Sequence, residues 1–356
     1  MTGSACTGAE IRQSRKAAPK ARWTLRIKNI LWPGTLKLKR AWGIANASAT
    51  RRHENLRYFQ KDGSPVTSSR NNAWRLAHGR SLALDAGGHI MAILNVTPDS
   101  FSDGGCYIDV ESAVRHGLSC ISDGASILDV GGESTRPGAA MVTAAEEQDR
   151  ILPVIERLAR ETDTLISVDT YRAETARLAI SAGAHIVNDV YGLRHDRQMA
   201  DVVSESGAGL CIMYTARGRD DLLEDIIEDE VMFFGQSLDR AKVAGIADDA
   251  IVLDPGFGFV QKREQDNELM ARSGELHSLG FPLLVGTSRK RFVGAITSRD
   301  AATERDFATA ATTAMLRLAG ASIFRVHNVA ANLDALRMAD AVLEARRSTR
   351  QAGDAH

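Results

Sequence analysis

Polar and charged residues stand at or just after the ends of short apolar runs: Asn95, Asp129, Asp169, Asn188, Asp254, Ser288, Arg289, Lys290, Arg325 and His327, with Met213 ending another run. Asp169, Asn188 and Asp254 can hydrogen-bond the edge of a polar heterocycle, because a carboxylate facing an amine and an adjacent ring N–H makes a bidentate match. Lys290, Arg325 and His327 can neutralise a phosphate or diphosphate, with Arg as a planar fork and Lys as a point charge. Asn95, a neutral oxygen donor beside the acidic loop residue Asp99, can help hold Mg²⁺, which takes a few protein oxygens together with substrate phosphates. Such a set suits a heterocycle attached to a leaving diphosphate. An Asp or Asn at a single strand end is ordinarily a helix cap; the whole set needs a fold that brings its members to one mouth.

The apolar runs supply that fold. They lie at Ile90–Leu94, Ile127–Val130, Leu165–Val168, Ile186–Val187, Gly209–Met213, Ile251–Leu253, Pro282–Val285 and Ile323–Val326. Each is short, rich in β-branched residues and bounded by turn formers, as buried parallel strands are. Between them lie segments with helical spacing, such as Ala144–Arg160 and Phe307–Ala319, the second closed by Gly320. Val329–Arg347 reads as the last helix. Eight strand–helix units over about 255 residues predict a (β/α)₈ TIM barrel, in which the C-terminal strand ends converge on one catalytic face. A doubly wound open sheet is the competing reading, since alternation alone does not establish closure.

Composition divides the chain. Residues 1–80 hold 17 of the 44 Lys and Arg but only Glu10, Glu54 and Asp62 of the 45 acidic residues. All four tryptophans, Trp23, Trp32, Trp42 and Trp74, also fall there. The division expected is a basic N-terminal extension over 1–85, poorly ordered or folded weakly on the acidic body, a barrel over 86–348 and a tail over 349–356. The extension carries no recognisable nucleic-acid-binding fold, so a nucleic-acid partner is not expected. Lys28, Lys37 and Lys39 interrupt its apolar clusters, which excludes a signal-peptide core. No run approaches the roughly 18 apolar residues of a membrane span. Cys6, Cys106, Cys120 and Cys211 are widely spaced without a C-x-x-C pair, which fits reduced thiols in a cytoplasmic protein.

The strand-end strings resemble those of dihydropteroate synthase. Asn95-Val-Thr-Pro-Asp-Ser-Phe-Ser-Asp-Gly-Gly105 looks like the first signature of that family and Leu128-Asp-Val-Gly-Gly-Glu-Ser-Thr-Arg-Pro-Gly138 like the second. Ser167-Val-Asp-Thr170, Val187-Asn-Asp189, Asp254-Pro-Gly-Phe-Gly-Phe259, Thr287-Ser-Arg-Lys290 and Arg325-Val-His327 follow in the family's order. The resemblance spans about residues 88–345. It implies a Mg²⁺-requiring transferase of folate biosynthesis, usually a dimer, that joins 7,8-dihydropterin-6-ylmethyl diphosphate to p-aminobenzoate and releases diphosphate. The resemblance assigns the pterin ring to Asp169, Asn188, Asp254 and Lys290, with Met213 and Phe259 packing near it. Diphosphate falls to Asn95, Arg325 and His327, with Asn95 near the metal. The p-aminobenzoate pocket falls to Phe101, Thr135, Arg136, Pro137 and Ser288. In the family's mechanism the C–O bond breaks largely before the amine attacks, so the site needs electrostatic stabilisation and water exclusion more than a strong base.

The sequence departs from the family strings at three places. Leu210-Cys-Ile-Met213 lacks the family's His, with Ile212 in its place; Val260-Gln261-Lys262 replaces Gly-Lys-Thr; and Asn328 follows Arg325-Val-His327 where Asp is common. The last change removes a carboxylate from beside the diphosphate cations. A methyltetrahydrofolate:corrinoid methyltransferase-like barrel and a non-catalytic paralogue acting as a binding partner are the alternatives. Phe101, Arg136 and Ser288 speak against the first, and only the substitutions at 212 and 328 support the second. The loop Asn95–Gly105 is expected to act as a lid, with Phe101 covering p-aminobenzoate.

Overall fold

The computed structural model describes residues 73–84, 87–97, 110–133 and 142–353, with backbone only from 350. A short antiparallel hairpin, β1 (Ala73–Arg75) and β2 (Ser81–Ala83), precedes eight parallel strands. These are β3 (His89–Asn95), β4 (Ile127–Gly131), β5 (Leu165–Asp169), β6 (Ile186–Asp189), β7 (Gly209–Met213), β8 (Ile251–Asp254), β9 (Leu284–Val285) and β10 (Ile323–Val326). Their order runs from β8 back through β3 and then to β10 and β9. A parallel bridge between Leu253 and Leu283 joins the two ends, with the Leu253 N–H donating to the Pro282 carbonyl at 3.0 Å. The sheet is thereby a barrel and not an open doubly wound sheet.

Helices follow the strands: α1 (Val110–Ser122), α2 (Ala144–Glu161), α3 (Ala173–Ser181), α4 (Met199–Ser206), α5 (Ile226–Val243), α6 (Arg263–Arg272), α7 (Arg291–Thr297), α8 (Asp306–Leu318) and α9 (Val329–Gly353). Their starts have local causes. Thr143 and Glu146 form a capping box ahead of α2, and the Asp225 carboxylate accepts the Ile227 and Glu228 N–H groups ahead of α5. Gly320, at φ +105°, ends α8 in a conformation that disfavours any side chain. Among the described residues no helix is long and apolar enough to cross a membrane.

Two apolar layers hold the barrel. One fills the space between strands and helices. The other is a floor inside the barrel made of one residue from each strand: Met91, Ile127, Leu165, Ile186, Cys211, Val252, Leu284 and Ile323. Trp74 and Leu76, 1% and 2% exposed, complete that floor from the hairpin. The Trp74 indole N–H donates to the Ala250 carbonyl at 2.9 Å, and Arg75 pairs with Asp249 at 3.0 Å. Gly209 makes the contact possible, since a Cβ there would lie 2.4 Å from Leu76 Cδ2. Residues 73–83 thus sit against the barrel although their basic surroundings placed them with the extension. Strands of three residues are too short to leave a periodic signal.

Candidate active site

Alternation along the strands builds the site. Side chains two residues apart on a strand share a face, so each floor residue predicts the residue that faces inward one step nearer the mouth. From Ile127, Leu165, Ile186, Cys211, Val252, Leu284 and Ile323 that step gives Asp129, Ser167, Asn188, Met213, Asp254, Gly286 and Arg325. An apolar floor therefore passes into a polar layer within one repeat. Asn95 and Asp169 lie one step further out, and the strands place Asn95 beside Gly131 and Asp169 beside Asn188.

Arg325 organises the polar layer. Its Nε donates to Asp129 Oδ2 at 2.5 Å and its Nη2 to Asp169 Oδ2 at 2.6 Å. Asn188 Nδ2 donates to the same Asp129 oxygen at 3.2 Å. Burial raises the Asp169 pKa, with Arg325 opposing and Asp129 reinforcing the rise. The guanidinium sequence reading offered to diphosphate is thus shared with two carboxylates, and the trio carries a net negative charge when both are ionised. Asp129, fully buried, stood among the strand ends in sequence without a role. Three buried oxygens of this layer have no partner among the described residues: Asp129 Oδ1, Ser167 Oγ and Asn188 Oδ1. They come from three adjacent strands, β4, β5 and β6. Unpaired buried polar atoms are costly, and a cluster of them marks where a polar ligand completes the bonding.

Lys290 and Asp254 form the opposite wall. The Lys290 ammonium donates to the Phe257 carbonyl and stands 4.7 Å from the centre of the Phe259 ring, while the Arg217 guanidinium lies 4.4 Å from the same ring. Gly258, at φ +80°, is needed for this approach: a Cβ would come within 2.9 Å of Lys290 Cδ. Burial lowers the Lys290 pKa to about 8, with Asp254 as the chief opposing influence. Burial likewise raises Asp254, against Lys290 and the Gly256 N–H that bonds its Oδ1 at 2.8 Å. Met213 is buried and pairs in register with Asp254. Ser288 is buried too, with its Oγ 2.9 Å from His327 Nδ1 and accepting the His327 N–H at 3.1 Å.

Of the residues expected at p-aminobenzoate, Phe101, Thr135, Arg136 and Pro137 lie outside the described residues, as does Asp99; Ser288 is within them. The stems around 134–141 are held firmly. Arg172 Nη1 pairs with Glu133 and Glu147 at 2.8 Å each, and its Nη2 donates to the Val142 carbonyl at 2.6 Å. Arg150 holds the Gly132 carbonyl at 2.8 Å. Sequence reading missed Arg172, whose partners are far from it in the chain. Asp189 is turned to its own loop, accepting the Tyr191 and Leu193 N–H groups at 2.9 and 2.7 Å. Among the described residues no group of three or more His, Cys, Asp or Glu is placed to hold a metal.

A polar layer of carboxylates, amide and cations above an apolar floor, at the mouth of a barrel, suits a small polar molecule. The sequence profile of the pterin binding enzyme family matches residues 91–327. Dihydropteroate synthase of Streptococcus pyogenes serotype M3 is 46% identical over 246 residues, covering 69% of this chain and 92% of that protein. The crystal structure of the Clostridium difficile dihydropteroate synthase in the presence of pteroic acid matches with 45% identity and a TM-score of 0.69, covering 72% of this chain and 97% of that one. The Yersinia pestis dihydropteroate synthase in a sulfonamide complex matches with 37% identity and a TM-score of 0.70, covering 76% and 98%. The chain belongs to the pterin-binding enzymes and, within them, to the dihydropteroate synthases.

Proposed function

We propose that the barrel mouth binds a 7,8-dihydropterin-6-ylmethyl diphosphate and p-aminobenzoate and couples them. The observation that carries this reading is the row of unpartnered buried oxygens on Asp129, Ser167 and Asn188, facing the Lys290 and Asp254 wall. A pterin edge presents amine and ring N–H donors that such oxygens accept, while Lys290 supplies a donor to its acceptors. Met213 and the Phe259 ring give the heterocycle apolar neighbours. Arg325 and His327, with Asn95 at the rim, take up the charge of the leaving diphosphate.

The reaction needs little from the protein beyond placement and electrostatics. The bond between the pterin methylene and the diphosphate oxygen breaks, and the amine nitrogen of p-aminobenzoate bonds to that carbon and loses a proton. Asp129, Asp169 and Asp254 stabilise positive charge developing on the pterin, and the cations stabilise the departing anion. Phe101, Thr135, Arg136, Pro137 and Ser288 would contact p-aminobenzoate. A single neutral oxygen from Asn95 fits Mg²⁺ held mainly by substrate phosphates, and the ion would supply charge neutralisation at the diphosphate. The chain would act in the cytoplasm as a homodimer. An exposed apolar stripe on α8 and α9, with Phe307 at 89%, Met315 at 57% and Met338 at 68% exposure, supports association. The division into an extension over 1–85, a barrel over 86–348 and a tail over 349–356 stays part of the proposal, with the hairpin Ala73–Ala83 packed on the barrel floor. Isothermal calorimetry of wild type and Asp129→Asn with the pterin diphosphate tests the site: the variant is expected to bind at least tenfold more weakly, as the loss of a charged hydrogen-bond partner implies. Equal affinity would remove the pterin from this wall.

A further inference from the structure

Asn328 directly follows Arg325-Val-His327. The structure places a carboxylate beside it from another element. Asp306, the first residue of α8, accepts from Asn328 Nδ2 at 3.1 Å. The same carboxylate clasps Arg289 with two bonds, from Nε at 2.7 Å and Nη2 at 2.8 Å, and lies within electrostatic reach of His327. We propose that Asp306 is a positioning residue for the reaction: through Arg289 and Asn328 it sets the Ser288–Lys290 turn and His327 for substrate.

Arg289 explains why the turn needs holding. It sits between Ser288 and Lys290 with φ +58°, a left-handed conformation that a non-glycine residue adopts only under constraint. The constraint comes from the start of α8. Besides the Asp306 pair, Thr309 Oγ1 accepts the Arg289 N–H at 3.2 Å and Arg305 Nη1 donates to the Arg289 carbonyl at 2.8 Å. With its backbone and side chain fixed, Arg289 sends Ser288 to His327 and Lys290 to the Phe257 carbonyl and the Phe259 ring. Asn328 has a compatible second task, accepting the Ala331 N–H at 3.1 Å as the cap of α9. An Asp at 328 would cap as well, but beside Asp306 it would set two carboxylates in contact. The amide at 328 and the acid at 306 therefore form one unit, joined by a single hydrogen bond.

The inference rests on the reading of Ser288, Lys290 and His327 as substrate-facing. Its test is charge relocation, with steady-state kinetics of the full chain and melting temperatures for each variant. Asp306→Asn is expected to lower kcat/KM for the pterin diphosphate about tenfold, the effect of losing one charge-assisted contact. Asp306→Asn with Asn328→Asp is expected to recover part of that loss, because the bond between the two positions, the helix cap and the net charge are kept while the two-bond clasp on Arg289 is not. Full activity of Asp306→Asn, or a double variant no better than the single one, would overturn the proposal. Should the single variant melt below the assay temperature, the double variant decides: activity supports the proposal and inactivity in the folded protein refutes it. Lys290→Ala measured alongside separates the two readings, since unchanged pterin affinity there would sink the site assignment itself.

Discussion

Truncating Trp74 to Ala should be among the most damaging single changes in this protein although it lies at the end of the barrel away from the mouth. The side chain is 1% exposed and packs on the floor layer with Leu76 and a residue from every barrel strand. Removing a buried Trp to Ala costs about 3–5 kcal/mol in lost transfer and cavity terms. The indole N–H bond to the Ala250 carbonyl, 2.9 Å long, adds about 1 kcal/mol when its acceptor is left unpaired. Together this is about 4–6 kcal/mol against a total stability of about 5–15 kcal/mol, enough to lower Tm by roughly 10–20 °C. Urea unfolding followed by circular dichroism measures it directly. Deletion of residues 1–72 is the matched control and should leave both stability and kcat close to wild type. A Trp74→Ala variant losing under about 1 kcal/mol would show that the hairpin merely lies against the barrel, and the account of the floor would be wrong.

Lys290→Ala should weaken pterin diphosphate binding by about 1.5–3 kcal/mol, read by calorimetry. Because burial sets the Lys290 pKa at about 8, binding should also fall as pH rises through that value. Folding stability should change in the opposite sense there: the group's folded pKa is below its unfolded one, so the cost of charging it in the fold is full below pH 8 and relieved above. A binding profile flat from pH 7 to 9 would contradict the role. Glu230 on α5 is fully buried with both carboxylate oxygens unpartnered among the described residues, and burial raises its pKa well above the ordinary value. Its contribution favours the fold below the unfolded pKa and is lost as pH rises toward the folded one. Glu230→Met should therefore stabilise the protein by about 1–3 kcal/mol at neutral pH and flatten its stability against pH; a lower melting temperature at pH 7 would show that the acid has a partner. A sulfonamide should raise the apparent KM for p-aminobenzoate without changing kcat, and a purely non-competitive pattern would move the drug to another site.

The barrel was legible because parallel strands are buried on both faces and so leave nearly unbroken apolar runs such as Ile90–Leu94. The polar residue ending each run marked the mouth. Partnership was less legible than position: Arg325 reads as a phosphate cation in sequence, and only the fold shows it bonded to Asp129 and Asp169, 196 and 156 residues away. Asp129 stands one residue before the end of its apolar run, where a lone carboxylate gives no sign of its neighbours until the inward alternation from Ile127 is known. The contact between Asn328 and Asp306 is hidden for the same reason, since Asp306 lies 22 residues before its partner. Trp74 was obscured by composition, because the basic residues around it outweigh three-residue strands in any windowed reading.

The central claim is that the polar layer holds a pterin whose diphosphate leaves only when an arylamine takes its place. Diphosphate release from 7,8-dihydropterin-6-ylmethyl diphosphate, followed with and without p-aminobenzoate, tests it most directly. Release should depend on the amine, match dihydropteroate formed one for one, and fall with Lys290→Ala. Release independent of p-aminobenzoate, or none with both substrates present, would contradict it.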